Sequence, residues 1–368
     1  MIIKSIYLRN FRNYKDQKID FDEKLNIIHG GNAQGKTNIL EAIYMFSLGK
    51  SNRAKTDREI ISFGEDEGEV CLEFSSRGRE QTGRIVLNKN GRKKVYINDI
   101  FIRKNSELVG NLNVVFFGPE YLSLIREGPK KRRKNLDTLI CQLRPAYLNA
   151  VSEYKRIIEQ KSSLLKDEKP NRVLLSVLNE KILELNNFIV KHRHDYIRKI
   201  EKIANEIQME ISGGSESLSM NYISSGNVIC AENVENLSAM SAESMVKYEE
   251  RELKYRECMF GPHRDDIEFL INGRDLKLFG SQGQQKTAIL VQKIAEVELF
   301  KNETGEYPVL LLDDIMSELD ISRQEFVINK IKNMQIFITS TDSEKFKEAN
   351  QGRFLKIEKG ELAECFSI

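Results

Sequence analysis

The segment Leu25-Asn-Ile-Ile-His-Gly30-Gly-Asn-Ala-Gln-Gly35-Lys36-Thr37-Asn38-Ile-Leu-Glu-Ala-Ile-Tyr-Met-Phe46 decides the fold class. It reads as a short apolar strand, a glycine loop and a good helix former, and Gly30 to Thr37 fits G-x-x-x-x-G-K-[ST] in full. The chemistry asks for each residue type. Gly30 and Gly35 let the backbone close around phosphate oxygens, and the amides of Gly31, Asn32, Ala33, Gln34 and Asn38 at the helix start offer an anion site. Lys36 neutralises the outer phosphates, and Thr37 places a hydroxyl on a magnesium ion. The expectation is an ATP site with Mg2+ as the second cofactor.

A partner segment lies far downstream, Pro308-Val-Leu-Leu-Leu-Asp313-Asp314. Four consecutive apolar residues predict a strand covered on both faces, and the first carboxylate at its C-terminal end is where a magnesium shell is held. Asp313 takes that role, and Asp314 would orient the attacking water. A carboxylate pair after an apolar strand is only moderately specific; the complete P-loop on the same chain is what gives it weight.

Around these segments the chain alternates in character. Ile2 to Leu8, Ile19 to Phe21 and about Val70 to Ile97 carry the period-two pattern of antiparallel strands. Asn90-Gly91, between Arg84 to Leu87 and Val95 to Ile97, is a two-residue hairpin signal. Beyond Pro129 the period changes, and Leu136, Ile140, Leu143, Tyr147, Ala150, Tyr154 and Ile157 form the seam of a helical limb that Pro145 kinks or divides. After the turn at Lys166 to Asn171, a second seam runs Leu178, Ile182, Leu185, Ile189, His192, Tyr196, Ile203 and Ile207. Two such limbs of about 25 to 35 residues predict a short antiparallel arm. Residues 212–240 read as surface loops with one strand at Leu218 to Ile223, and a charged helix follows at Ala242 to Glu257. The last third is again α/β: a strand at Ile267 to Ile271, a helix from Gln284 to Lys301, the Val309 strand, a helix near Arg323 to Lys332 and a strand from Ile336. The expected architecture is an α/β, bilobed P-loop ATPase head at 1–110 and 255–368, with an inserted helical arm at 111–254.

Composition excludes other classes. With 40% apolar and 30% charged residues, no stretch reaches the roughly 20 apolar residues of a membrane span. Lys4 and Arg9 interrupt any leader-like core, so a cytoplasmic location without membrane contact is expected. Five scattered cysteines lack Cys-x-x-Cys spacing, and the four histidines form no ligand set with them. The net charge is only +2, so any nucleic-acid contact must come from local clusters.

The chain resembles the RecF family of bacterial recombination-repair ATPases, relatives of the SMC-type ABC ATPases, over essentially its whole length. The resemblance rests on Leu8 to Tyr14, Gly30 to Asn38, Pro119-Glu120, Gly261-Pro-His-Arg-Asp-Asp266, Ser281-Gln-Gly-Gln-Gln285, Leu312 to Asp320 and Ile338 to Thr341. It implies an ABC head in which the signature segment Ser281, Gln282, Gly283 and Gln284 covers the nucleotide of a second copy. Asp320 would then belong to a D-loop at the interface, and two half-sites would complete each other in a two-fold dimer. By itself Ser281 to Gln285 would read as no more than a capped helix start. The resemblance also implies duplex or gapped DNA as ligand, RecR and RecO type proteins as partners, and a role in supporting recombinase loading. Two departures stand out: Thr339 and Thr341 occupy the place of a switch histidine, and Asp314 replaces the usual glutamate. Both predict slow hydrolysis, and with the DNA ligand that the resemblance implies the expectation is a weak, DNA-stimulated ATPase. Ser51-Asn-Arg-Ala54 departs from the usual Ser-His-Arg-Thr and leaves the role of that loop open.

Two basic clusters are candidates for DNA phosphates: Lys89, Arg92, Lys93 and Lys94 at the hairpin tip, and Arg126 with Lys130, Lys131, Arg132, Arg133 and Lys134 at the start of the arm. A solvated face is the plain alternative for each. Arg9, Arg12, Arg53 and Lys55 flank the nucleotide loop, where an internal ion pair competes with DNA contact. A chromosome-organising, SMC-like ATPase is the competing functional reading; its ring would need arms of hundreds of residues.

Overall fold

The structure, a computed structural model, describes residues 1–225, 236–330, 333–342 and 352–367. The chain divides into two compact units, Met1–Leu122 with Lys293–Ile368, and Ser123–Gln292.

The first unit holds two sheets among its described residues. One has the order Glu361–Ser367, Arg353–Glu358, Leu25–His29, Ile336–Ser340, Val309–Asp313, Val114–Phe117. All its pairings are parallel except the edge formed by Glu361–Ser367. Every residue of Val309–Asp313 and Ile336–Ser340 is buried, as expected of strands covered on both faces. The other sheet is antiparallel, in the order Tyr14–Asp20, Ile2–Phe11, Glu67–Ser76, Arg79–Asn88, Lys94–Ile97, Ile100–Ile102. The P-loop helix, Lys36–Leu48, packs against both. Its Ile39, Leu40, Ile43 and Phe46 share one core with Ile3, Ile6, Phe74 and Ile85 of the antiparallel sheet and with Val114, Leu311, Phe337 and Leu355 of the parallel one. A helix buried on nearly all sides needs apolar residues all round, which is why this one shows no polar face.

In the second unit Pro145 divides the first limb, standing at the start of Pro145–Leu164 directly after Pro129–Leu143. The predicted seam from Leu136 to Ile157 is buried throughout. The second limb is one helix, Arg172–Ile211, whose first free amides at Val173 and Leu174 are taken by the Asn171 side chain. Its 40 residues exceed the expected limb, because Ile200, Ala204 and Ile207 continue the buried face without a breaker. The Leu237–Tyr255 helix packs on it, joined through Asn186 Nδ2 to Ser241 Oγ at 3.1 Å and by a buried Lys161–Glu252 ion pair to the first limb. A three-stranded sheet, Arg274–Asp275, Asp266–Ile271, Leu218–Ile223, completes the unit.

Three differences from the sequence reading have local causes. Val114–Phe117 pairs with Val309–Asp313, so the head reaches residue 122 instead of ending at 110. Asp266–Ile271 pairs with Leu218–Ile223, which draws 255–292 into the second unit. The hairpin between Arg79–Asn88 and Lys94–Ile97 is wider than two residues. Asn88 Oδ1 accepts the Asn90 amide at 3.0 Å, and this local turn starts the reversal ahead of Asn90-Gly91. The loop reading of 212–240 and the end of the helix near Lys332 lie partly outside the described residues. Among the described residues, no helix is long and apolar enough to cross a membrane.

Candidate nucleotide site and its surroundings

The loop after Leu25–His29 has the backbone its sequence requires. Gly30 and Gly35 have φ of 145° and 116°. A side chain at Gly35 would also meet Asn13 Nδ2 at 2.7 Å, and one at Gly30 would collide with the Ile357 carbonyl. Asn13 and Tyr14 brace the loop from the antiparallel sheet. Asn13 Nδ2 donates to the Gln34 carbonyl at 2.7 Å, Tyr14 Oη to the Gly35 carbonyl at 3.0 Å, and Asn38 Nδ2 to Asn13 Oδ1 at 2.8 Å. On the other side the Lys359 amide donates to Gln34 Oε1 at 2.6 Å and the Gly360 amide to the Gln34 carbonyl at 3.0 Å. The loop is therefore pre-shaped from two strand turns, one about twenty residues before it and one near residue 360. Asn13 and Tyr14 lie in a segment that carried the family resemblance, but no residue pattern assigned them this bracing role.

Lys36 Nζ donates to the Gly30 and Gly31 carbonyls at 2.8 and 2.7 Å. Burial lowers its pKa, against the pull of Asp314 and Asp313. Thr37 Oγ1 donates to Asp313 Oδ1 at 2.7 Å, and Thr339 Oγ1 donates to the same oxygen at 2.7 Å. Thr339 Oγ1 in turn accepts the Asp314 amide at 2.9 Å, so this one threonine fixes the carboxylate of Asp313 and the backbone of Asp314. Asp314 sits at a φ of 51°, in the left-handed region that aspartate tolerates better than most residues, and is held there by Thr339 on its amide and by Ser317 Oγ on its carbonyl at 2.7 Å. A glycine loop with a lysine, a threonine and a carboxylate converging at its end is the donor set that a magnesium-bound triphosphate fits.

The RecF/RecN/SMC N-terminal domain family matches residues 2–362. The DNA replication and repair protein RecF of Acetivibrio thermocellus is 41% identical over 366 residues, covering 98% of this chain and 99% of that protein. The chain belongs to the RecF family. Two solved structures agree. The recombination mediator protein RecF-ATPrS of the RecFOR pathway superposes with a TM-score of 0.90 at 36% identity over 98% of this chain and 97% of that one. The corresponding RecF-ATP structure gives 0.87 at 36% identity, over 100% and 97%. An ABC-type head with a helical arm is accordingly the fold.

Two of the segments that carried the family resemblance, Gly261 to Asp266 and Ser281 to Gln285, fall in the second unit. Ser281 Oγ accepts the Gln284 amide at 3.2 Å and Gln284 Oε1 accepts the Ser281 amide at 2.9 Å, a reciprocal capping box at the start of the Gln282–Thr304 helix. Gln285 is buried, and its Oε1 accepts Arg126 Nε at 2.6 Å while Nε2 donates to the Leu276 carbonyl at 2.9 Å. Gly261 to Asp266 forms a buried polar hub. Arg193 bonds Asp137 twice at 2.9 Å and the Pro262 carbonyl at 2.6 Å, and stands 3.5 Å from Asp265, which also takes the Tyr222 hydroxyl and, at 2.6 Å, the Ser225 amide. In the first unit Asp320 caps the Ile321–Lys330 helix through the Arg323 amide at 2.9 Å and pairs with the Arg323 side chain.

Several residues assigned to DNA from the sequence are engaged inside the protein. Arg12 grips the fully buried Glu41 at 2.9 and 2.8 Å, and Ser51 bonds the same carboxylate, which gives the Ser51 loop a structural anchor. Arg132 is buried on Asp266 at 2.7 and 2.9 Å and on the carbonyls of Leu124, Ile125 and Glu127. Neither guanidinium is left for phosphate. Lys93 pairs with Asp57 at 2.8 Å, Lys131 with Glu127, and Lys89 with Asp66 at 3.5 Å. Arg53 is exposed beside the nucleotide loop, 3.4 Å from Asn38 Oδ1, and Lys55, Arg92, Lys94 and Lys130 are exposed.

Proposed function

We propose that the protein is a DNA replication and repair ATPase that binds ATP, hydrolyses it slowly, and uses it to close two copies on duplex or gapped DNA. The observation that carries the reading is the junction of Thr37 with Asp313, 276 residues apart in the chain and joined by one 2.7 Å bond at the end of a complete P-loop. The description of its RecF relatives as DNA replication and repair proteins, and a solved relative with ATP, support the same reading.

Bound ATP with Mg2+ supplies a phosphorus open to attack and a metal that neutralises charge as it is cleaved. Thr37 and Asp313 would hold the metal, and Lys36 would exchange the loop carbonyls for the outer phosphates. The amides of Gly31, Asn32, Ala33, Gln34, Gly35 and Asn38 would cradle the remaining oxygens. Asp314 would orient water; with a side chain one methylene shorter than glutamate and a threonine in place of histidine behind it, turnover falls below the typical rate of about 10 per second. Ser281, Gln282, Gly283 and Gln284 start a long helix whose first amides suit an anion, which supports their covering the nucleotide of the second copy, with Asp320 near that interface. RecR and RecO type proteins are the partners of this reading, and the clamp would support recombinase loading. The limbs of the second unit are tens of residues long, which disfavours the ring-forming SMC alternative.

Light-scattering size analysis with and without ATP and duplex DNA tests the proposal. Wild type should become a dimer with ATP, Lys36→Met should stay a monomer, and Asp314→Asn should accumulate as a stable ATP-bound pair. A wild type that stays monomeric at saturating ATP and DNA ends the clamp reading.

A further inference from the structure

The turn between Ile61 and Glu65 holds Phe63 wholly in solvent, at a relative exposure of 105%. The turn itself is firmly tied. The Ser62 amide donates to the Asn10 carbonyl at 2.9 Å, its hydroxyl to the Arg12 carbonyl at 2.8 Å, and the Glu65 amide closes on the Ser62 carbonyl at 3.1 Å. Gly64, at a φ of 90°, supplies the positive φ that the third position of a type II turn demands. Ile60 and Ile61 just before it are buried, and Ile61 bridges to Phe11. Lone exposed apolar side chains are common on protein surfaces. A large ring carried at the tip of an anchored turn is less so, and the backbone that presents it loses little freedom when a ligand covers it.

The charges around the turn say what that ligand is. Two of the neighbouring carboxylates are neutralised in ion pairs, Asp57 by Lys93 at 2.8 Å and Asp66 by Lys89 at 3.5 Å, while Glu67 and Glu65 accept only from the neutral amides of Asn88 at 2.9 Å and Asn10 at 3.3 Å and keep their charge. Glu59 accepts the Thr56 hydroxyl at 3.1 Å and the Lys55 amide at 3.2 Å. The Lys89 amide also donates to the Asp66 carbonyl at 2.9 Å, which ties the basic hairpin tip to this turn. Lys55, Arg58, Arg92 and Lys94 remain exposed without an ion pair among the described residues. Set against Glu59, Glu65 and Glu67, these four cations leave a surplus of one positive charge in this region. An exposed aromatic ring on a turn tied to a hairpin that carries unpaired cations is an arrangement that can stack on a base while phosphates are held alongside.

We propose that Phe63 is a DNA contact that stacks on a base face exposed at a gap or junction, with Lys55, Arg58, Arg92 and Lys94 on the flanking phosphates. The proposal rests on the DNA-binding reading and names a site for it. The test uses the full chain with ATP and a gapped duplex carrying 2-aminopurine at the gap edge. Phe63→Ala should weaken binding about tenfold at fixed salt, abolish the 2-aminopurine change on binding, and leave the salt slope intact, since a ring releases no counterions. Phe63→Trp should restore both affinity and signal. The pair Arg92→Ala and Lys94→Ala should instead flatten the salt slope. Wild-type affinity and signal in Phe63→Ala overturn the assignment, as does a Phe63→Ala defect confined to ATP-dependent self-association without DNA, which would give the ring to a protein partner. A wild type that binds no DNA removes the underlying reading, and this proposal with it.

Discussion

Arg193→Met is expected to destabilise the protein by about 3–5 kcal/mol, the usual cost of removing one partner from a buried ion pair. Arg193 is 4% exposed and Asp265 1%. Burial pushes the Asp265 carboxyl up, and Arg193 is the chief force pulling it back. Without the guanidinium, Asp265 keeps the Tyr222 hydroxyl, the Ser225 amide and the weaker pull of Arg133 but loses its principal cation, and Asp137 keeps the Tyr147 hydroxyl at 2.6 Å. Methionine fills much of the volume, so the loss reports charge and hydrogen bonding more than packing. Urea unfolding followed by circular dichroism measures it, and Arg193→Lys, which keeps the charge but not the planar fork, should lose less. A shift under 1 kcal/mol for the methionine variant would mean that the hub does not hold the second unit together.

The hub also shows where sequence reading stops. The P-loop was legible because its residue types answer backbone and charge requirements that recur wherever a phosphate is cradled: two glycines at positive φ, a lysine, a hydroxyl. The strands at Leu25–His29, Leu218–Ile223 and Val309–Asp313 were legible for a similar reason, each being a short apolar or alternating run bounded by turn residues. Val114–Phe117 is the same kind of run and was not assigned; what its residues do not carry is the identity of a partner some 195 residues away by register, with Val114 opposite Val309, and that pairing is what places it in the head. Arg193 was hidden by its surroundings. A seam drawn through Ile189, His192 and Tyr196 treats the helix as having one partner, whereas Arg172–Ile211 packs against Pro145–Leu164, Leu237–Tyr255 and the Leu218–Ile223 strand. Its buried face is therefore wider than a seam and takes in Arg193 and His194, while His192 is only partly covered. The basic clusters failed in part for the same reason: a run of cations in sequence does not say which of them, such as Arg132, will find an internal carboxylate.

Below pH 6.5 the second unit should lose stability through His263, and His263→Gln should remove that part of the loss. Its Nδ1 lies 2.7 Å from Tyr154 Oη and its Nε2 3.1 Å from the Cys258 carbonyl. A carbonyl can only accept, so Nε2 carries the proton; burial pushes the Tyr154 phenol well up, leaving its hydroxyl to donate to a bare Nδ1. The imidazole is thus held neutral, and burial, with Arg264 and Arg133 nearby, pushes its pKa down to about 4 in spite of the Cys258 bond and Glu252. In the unfolded chain it titrates near 6.5. Between these values the unfolded state binds the extra proton, so stability is complete above about pH 6.5 and falls by up to 1.4 kcal/mol per pH unit toward pH 4, about 3 kcal/mol in all. Carboxylates add their own acid dependence, which is why the comparison with the variant decides. A glutamine can keep a donor toward Cys258 and an acceptor near Tyr154 but cannot take the proton. Between pH 6.5 and 5 its urea midpoint should fall less than that of wild type, by an amount worth about 2 kcal/mol; parallel pH profiles for the two proteins would show that His263 does not titrate on unfolding.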